Sequence, residues 1–159
     1  MSLISFIVII AISIGLWPIV TLQHEFSHAA VAYLFGAKNI RFKFFPNADG
    51  GMAKTSCNWN IKNTDFAYGI FACIPQIVNV FIMSGIIILQ LDNLFWLSLY
   101  LVNLVDYTFN STSILKKEPN YLNDAWQTYR AFGLDLNLFR TYVIGMVAMY
   151  IVYFVLYFS

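Results

Sequence analysis

Charge is the property that this sequence has least of. Only 11% of its 159 residues are charged, whereas 60% are hydrophobic and 18% are aromatic. Soluble domains carry about 25% charged residues, so this chain has too few of them to cover a surface in water. We therefore expect a protein of the lipid bilayer, and its length predicts a single domain over residues 1–159.

The sequence also lacks the features of several other classes of protein. Its formal net charge of +1 leaves no basic surface of the kind that binds nucleic acid. Cys57 and Cys73 are isolated in the chain, which argues against a disulfide framework and against a thiolate metal site. No internal repeat is visible, and this disfavours a transporter built from inverted repeats. The expected partners are the bilayer and other membrane proteins.

Long apolar segments account for most of the chain. A helix needs about 20 apolar residues to cross about 30 Å of hydrocarbon. Segments 3–36, 64–91, 93–109 and 138–158 reach or approach that length. The sequence therefore predicts an all-α, multi-pass protein of the cell membrane with four transmembrane helices.

The first connection between these segments has the pattern of β-structure. Within IRFKFF, the apolar residues Ile40, Phe42 and Phe44 alternate with two cations, which is the period of a strand. The turn-forming run PNADGG follows, and MAKTSCNW can return as a second strand. We expect a small β-hairpin at the membrane surface after the first helix.

The second connection, after the third apolar segment, predicts a short helix. Pro119 breaks the chain, and NDAWQTYRAFG follows with Asn120 or Asn123 as the N-cap and Gly133 as the end. Lysine and arginine are concentrated in residues 38–62 and 116–140. With four spans both regions lie on one side of the membrane, and the positive-inside rule makes that side cytoplasmic and the termini external.

The motif HEFSH contains the only two histidines of the chain, His24 and His28. Residues four apart share one face of a helix, so both imidazoles can bind the same metal ion. Zinc prefers such nitrogens and leaves a position for water in catalytic sites. Glu25, beside the first ligand, is predicted to be the base that takes a proton from that water. A chance match is the alternative, but three ionisable residues in an apolar helix are costly, which favours a zinc site.

A third ligand is needed, because catalytic zinc usually takes three from the protein. Glu118 is the only other glutamate and stands between two lysines and Pro119, so we expect it to be solvated. Two aspartates remain, Asp106 in NLVDYTFN and Asp124 in YLNDAWQ.

Of these two aspartates, Asp124 is the predicted ligand. It follows a stretch broken by proline on the same side of the membrane as His28, and irregular backbone is tolerated where it lines a protein cavity. The alternatives are that Asp124 only favours the start of a helix, and that Asp106 is a buried polar residue bonded to Asn103 or Asn110.

Together these motifs resemble the site-2 protease family, the intramembrane zinc metalloproteases. The resemblance lies in HEFSHA in an apolar helix, in the glycine-bearing hairpin segment GAKNIRFKFFPNADGGMAKTS, in FACIPQIVN and in EPNYLNDAWQTYRAFG. It implies hydrolysis of peptide bonds in membrane-spanning substrates, and it implies Asp124 as the third ligand. The family's aspartate is usually followed by glycine, whereas Ala125 follows here.

Several roles remain open at this point. A non-proteolytic membrane protein with a structural metal site or a helix-binding role is the alternative function, but such a protein has no need of Glu25 as a base. The hairpin either holds an extended substrate by β-addition or packs on the membrane surface. Asn79 and Asn103 are either donors to an oxyanion or polar residues bonded between helices.

Overall fold

The structure is a computed structural model that describes residues 2–44, 53–59, 64–117 and 123–158. The fold is mostly helical, with one small antiparallel sheet. In chain order the elements are α1 (Leu3–Leu34), β1 (Lys38–Phe44), β2 (Ala53–Asn58), α2 (Thr64–Ile88), α3 (Leu94–Ser111), a 3-10 turn (Thr112–Leu115), α4 (Asp124–Phe132) and α5 (Leu136–Phe158).

Three of the described helices are long and apolar enough to cross a membrane: α1, α2 over Asp65–Ile88, and α5 over Leu136–Leu156. They are compatible with the predicted membrane protein, but the predicted count of four spans is not confirmed. The difference lies in α3, where segment 93–109 was expected. Asn103, Asp106 and Asn110 make this helix more polar than the other three.

Helix α3 occupies the middle of the bundle, against α1, α2 and α5. Ser98 donates a hydrogen bond to the carbonyl of Ile9 (3.2 Å), and Asp106 lies beside His24, so α1 and α3 run in the same direction. Tyr100 donates to the carbonyl of Tyr150 on α5 (2.9 Å). Because α3 is enclosed on these sides, its polar side chains can be satisfied by neighbouring helices rather than by water.

The predicted hairpin is confirmed as a two-stranded antiparallel sheet. Phe42 of β1 lies opposite Thr55 of β2, and the run PNADGG between the strands lies outside the described residues. Gly36 turns the chain out of α1 with a φ of +71°, a conformation that favours glycine. Along β2, half-buried Thr55 and Cys57 alternate with exposed neighbours, so one face of the strand lies against the helices.

The short helix α4 is held at both ends and along one side. The Asn123 side chain accepts a hydrogen bond from the Ala125 N–H (3.0 Å), and Gly133, with a φ of +59°, ends the helix. The Trp126 indole donates to the carbonyl of Ser113 (2.9 Å). This anchoring fixes the direction of the first residue of α4, which is Asp124.

Candidate metal centre

The HEFSH motif lies on the part of α1 that faces the interior of the protein. His24, Glu25 and His28 are 7%, 8% and 5% exposed. The ring centroids of the two histidines are 5.0 Å apart, as expected for residues one helical turn apart. These three side chains therefore point into the protein, whereas Phe26 of the same motif is exposed.

Asp124 meets both histidines from the start of α4. Its Oδ2 lies 3.0 Å from Nε2 of His24 and 3.4 Å from Nε2 of His28. A tetrahedral ion with ligands at about 2.0–2.2 Å separates its ligand atoms by roughly 3.4 Å. The three side chains therefore form a group that could hold a metal ion, with ligand atoms within 4.8 Å of one another.

The hydrogen bond of the other ring nitrogen fixes the orientation of His28. Its Nδ1 lies 2.7 Å from the main-chain carbonyl of Phe71. A carbonyl only accepts, so Nδ1 of His28 carries a proton and donates to it, and this bond turns Nε2 toward Asp124. The Phe71 carbonyl is free for this because its helical partner would be residue 75, and Pro75 has no N–H.

Asp106 holds His24 in the corresponding way. Its Oδ2 lies 2.9 Å from Nδ1 of His24 and accepts from the amide of Asn79 (2.7 Å), while its Oδ1 accepts from Asn110 (3.2 Å). A carboxylate on the far nitrogen of a metal-binding histidine fixes the ring and raises its basicity. Asp106 therefore contacts the Nδ1 side of the His24 ring, and Asp124 contacts its Nε2 side.

Asp124 is oriented by α2 and by its own helix. The Gln76 amide donates to its Oδ2 (3.2 Å), and the Asn123 cap fixes the backbone from which it projects. Burial raises the pKa of Asp124, but the charge and hydrogen bonds of His28 and His24 outweigh burial and hold the pKa below its usual range. The carboxyl is accordingly in the anionic form that a metal ligand requires.

Glu25 is held apart from this group by the hairpin. The Thr55 hydroxyl donates to Oε2 of Glu25 at 2.6 Å and also lies 3.1 Å from its main-chain carbonyl. Glu25 follows His24 in the chain and lines the same cavity as the three possible ligands, but its carboxylate is bonded to β2. This is the arrangement of a base that is not itself a metal ligand.

A cavity of about 660 Å³ opens onto the site. His24, Glu25, His28 and Asp124 all line it. Strand β2 contributes residues 53–57 to the lining, and the end of α3 and the 3-10 turn also contribute to it. A ligand in this cavity would contact the histidine–aspartate group and the strand at the same time.

Asn79 and Asn103, the predicted alternatives for binding an oxyanion, are not in this cavity lining. Asn79 and Asn103 are both 0% exposed, and Asn79 bridges Asp106 and Gln23, so it serves as a polar link between helices rather than as an oxyanion donor. Asn103 donates to its own helix at Leu99. Glu118 lies outside the described residues.

Sequence reasoning missed two contributors to the site, Thr55 and Gln76, which bond to Glu25 and Asp124. It singled out Asp106, since an aspartate in an apolar segment needs a partner, but it did not predict the contact of Asp106 with Nδ1 of His24. Thr55 and Gln76 are ordinary residues whose role depends on which helix or strand lies opposite.

Comparisons with protein-family models, with curated proteins and with solved structures gave no match. The arrangement of this chain's own residues is therefore what supports a function.

Proposed function

We propose that this chain is an intramembrane zinc metalloprotease, a hydrolase that cleaves peptide bonds of membrane-spanning substrates. The observation that carries the proposal is a histidine–histidine–aspartate group on the wall of a cavity. Glu25 lines the same cavity and is not part of that group. Structural zinc sites are usually closed by four protein ligands, whereas catalytic sites have three and an open position. This difference favours the enzyme over a structural metal site.

The donor set fits zinc. Two imidazole nitrogens and one carboxylate oxygen are ligands that zinc takes in hydrolases. When bound there, zinc supplies a water whose pKa falls from about 15.7 to about 7, together with Lewis-acid polarisation of a carbonyl. His24, His28 and Asp124 would hold the ion, and Asp106 and the Phe71 carbonyl orient the two imidazoles.

The protein's own part of the chemistry is proton transfer and alignment. The Glu25 carboxylate accepts a proton from the attacking water and returns it to the leaving amine, both at its oxygen atoms. Glu25 lines the cavity together with the three proposed ligands, so a substrate held there is within the same space as the base. Asn110, Ser113 and Gln127 add polar groups to the cavity wall.

Strand β2 supports an extended peptide as the substrate. A helix hides its carbonyls in its own hydrogen bonds, so a membrane-spanning substrate has to unwind locally before hydrolysis. The wall formed by residues 53–57 is already a strand, and extended peptides bind to strand edges through main-chain hydrogen bonds. The resemblance of the motifs to site-2 proteases agrees with this class of substrate.

The proposal includes four spans in the cell membrane, with α3 as the fourth. Its 18 residues give a length of about 27 Å at 1.5 Å per residue. Its direction, parallel to α1 and flanked by α2 and α5, is the one that alternating spans require. The surrounding helices shield its polar residues from lipid, which explains how a less apolar helix crosses the bilayer.

The test is cleavage in proteoliposomes that contain the purified protein and a panel of single-span membrane proteins. We expect one or more to be cut by the wild type. Glu25→Gln keeps the shape of the side chain but removes the base, so it should retain the metal and lose cleavage. Glu118→Gln, the same change at the only other glutamate, is the matched control and should cleave normally. Normal cleavage by Glu25→Gln would contradict the proposal.

A further inference from the structure

We propose that Thr55 is the positioning residue of the base, and that its hydroxyl fixes the direction of the Glu25 carboxylate at the edge of the cavity. This role rests on the proposed function, since it requires that Glu25 moves a proton. It assigns to the hairpin a part in the chemistry, in addition to any contact that the strand makes with substrate.

The geometry is that of one strong hydrogen bond. The Thr55 Oγ1 lies 2.6 Å from Oε2 of Glu25, a distance typical of a bond between a hydroxyl and a charged carboxylate. Among the described residues this is the only hydrogen bond to the Glu25 carboxylate, so the long side chain depends on Thr55 for its direction. Thr55 itself is fixed by the pairing of β2 with β1.

A second acceptor lies within reach of the same hydroxyl. The main-chain carbonyl of Glu25 is 3.1 Å from the Thr55 Oγ1. The one hydroxyl of Thr55 is therefore within hydrogen-bonding distance of both the side chain and the main chain of Glu25. This double contact ties β2 to α1 at Glu25 and holds the carboxylate in one place, which is what an efficient base requires.

The chemistry of the two atoms predicts which substitutions preserve the role. Serine keeps the hydroxyl and can act as donor and acceptor, whereas valine keeps the branched shape and can do neither. A role in packing would be preserved by valine. A role in holding Glu25 would be preserved by serine, so the two variants separate these explanations.

The experiment measures kcat and KM for Thr55→Val and Thr55→Ser in the zinc-loaded protein. Loss of a hydrogen bond to a charged group should lower kcat of Thr55→Val by about tenfold to a hundredfold. KM should change by less than about twofold, because the substrate's own contacts remain. Zinc content should stay normal, and Thr55→Ser should recover most of kcat. Thr141→Val is the matched control, since the Thr141 hydroxyl only bonds Asn137 of its own helix.

A second measurement does not depend on activity. Amide hydrogen exchange of β2, followed without substrate, should be faster in Thr55→Val than in the wild type and normal in Thr55→Ser, because the strand loses its tie to α1. Unchanged amide exchange of β2 in Thr55→Val would contradict the hydrogen bond between Thr55 and Glu25.

The outcomes distinguish this inference from the proposed function. Normal kcat in Thr55→Val alongside an inactive Glu25→Gln contradicts only the role of Thr55. If kcat of Thr55→Ser is as low as kcat of Thr55→Val, the role of Thr55 is also contradicted. The loss of activity would then come from changed packing and not from the lost hydroxyl. Normal cleavage by Glu25→Gln contradicts the proposed function itself.

Discussion

At the scale of single residues, each histidine of the motif is oriented by an acceptor from a different helix. His24 uses a carboxylate of α3, and His28 uses a main-chain carbonyl of α2. Both contacts occupy Nδ1, so both Nε2 atoms turn to the same side, where Asp124 approaches. The two aspartates near His24 therefore have different roles, which substitution can separate.

We predict that Asp124→Asn removes most of the bound zinc, because a neutral amide oxygen is a far weaker ligand than a carboxylate. Asp106→Asn should keep the metal and weaken its binding by about tenfold to a hundredfold, as for other groups that orient a ligand histidine. Competition with a chelator measures both affinities. Loss of zinc in Asp106→Asn with retention in Asp124→Asn would reverse the two assignments.

The proline of α2 gives a prediction that only the structure suggests. In Pro75→Ala, the new N–H lies one helical turn after Phe71 and should bond its carbonyl, in competition with His28. We expect zinc binding to weaken by about threefold to tenfold, since the ring loses part of its orientation.

Pro18→Ala is the matched control, because Pro18 is the proline of α1 and its new N–H would face Ile14 on the exposed side. The same chelator competition applies to both variants. Equal losses of affinity would show that the free carbonyl of Phe71 does not matter.

Spacing alone predicted that His24 and His28 share one face, because both lie within one helix and its geometry is known in advance. The third ligand was harder to predict, since Asp106 and Asp124 stand 82 and 100 residues from His24 in the chain. The preference for Asp124 came from backbone arguments and from the resemblance; the structure brings Asp124 to both histidines, and its role as a ligand stays a prediction. The contact of Thr55 depends on strand register, which the alternation of residues does not specify.

At the scale of elements, the position of α4 depends on a close approach to α2. A Cβ atom at Gly69 would lie 2.8 Å from the ring of Phe132 and 3.0 Å from the Cβ of Ala131. Glycine therefore lets α4 settle against α2 at the depth where Asp124 reaches the histidines. The ring of Phe132 can turn about its side-chain bonds, but the Cβ of Ala131 is attached directly to the backbone of α4, so relief of that contact moves the helix.

We predict that Gly69→Ala displaces α4, lowers stability by about 1–3 kcal/mol as overpacking does, and weakens zinc binding. Gly85→Ala is the matched control in the same helix, since nothing lies within 4 Å of its added Cβ. The control should be neutral or slightly stabilising because alanine favours a helix. Unfolding in detergent and chelator competition measure the two effects. Normal zinc affinity in Gly69→Ala would show that α4 tolerates the shift.

The elements differed in how well their sequences predicted them. Alternation predicted the hairpin, and the asparagine cap and terminal glycine predicted α4, since these signals are local. The count of four spans stays a prediction, because α3 is less apolar than the three helices that are long and apolar enough to cross a membrane. Asp106 is satisfied by His24, Asn79 and Asn110, a circumstance that only the packed bundle reveals.

At the scale of the whole molecule, the charged residues and the site lie toward the same ends of the helices. The hairpin, the 3-10 turn and α4 all adjoin the half of the bundle that contains HEFSH. We predict that the end of the bundle with HEFSH is cytoplasmic and that the connection at Asp92 is external. The reason is that lysine and arginine are concentrated at the end with HEFSH.

Single cysteines at Lys43 and Asp92 test this topology, in a protein whose Cys57 and Cys73 are replaced by alanine. Both positions are exposed. A membrane-impermeant maleimide added to intact cells should label position 92 and not position 43, and permeabilisation should make both reactive. Labelling of position 43 in intact cells would place the site on the outer face.

The most direct test of the central claim is the metal content of the purified wild-type protein, followed through removal and return of the ion. We predict about one zinc per chain, as a three-ligand catalytic site requires. A chelator should remove the zinc and abolish cleavage, and added zinc should restore both. His24→Ala and His28→Ala should hold no zinc. A wild-type protein that binds no zinc, even when zinc is supplied, would contradict the account.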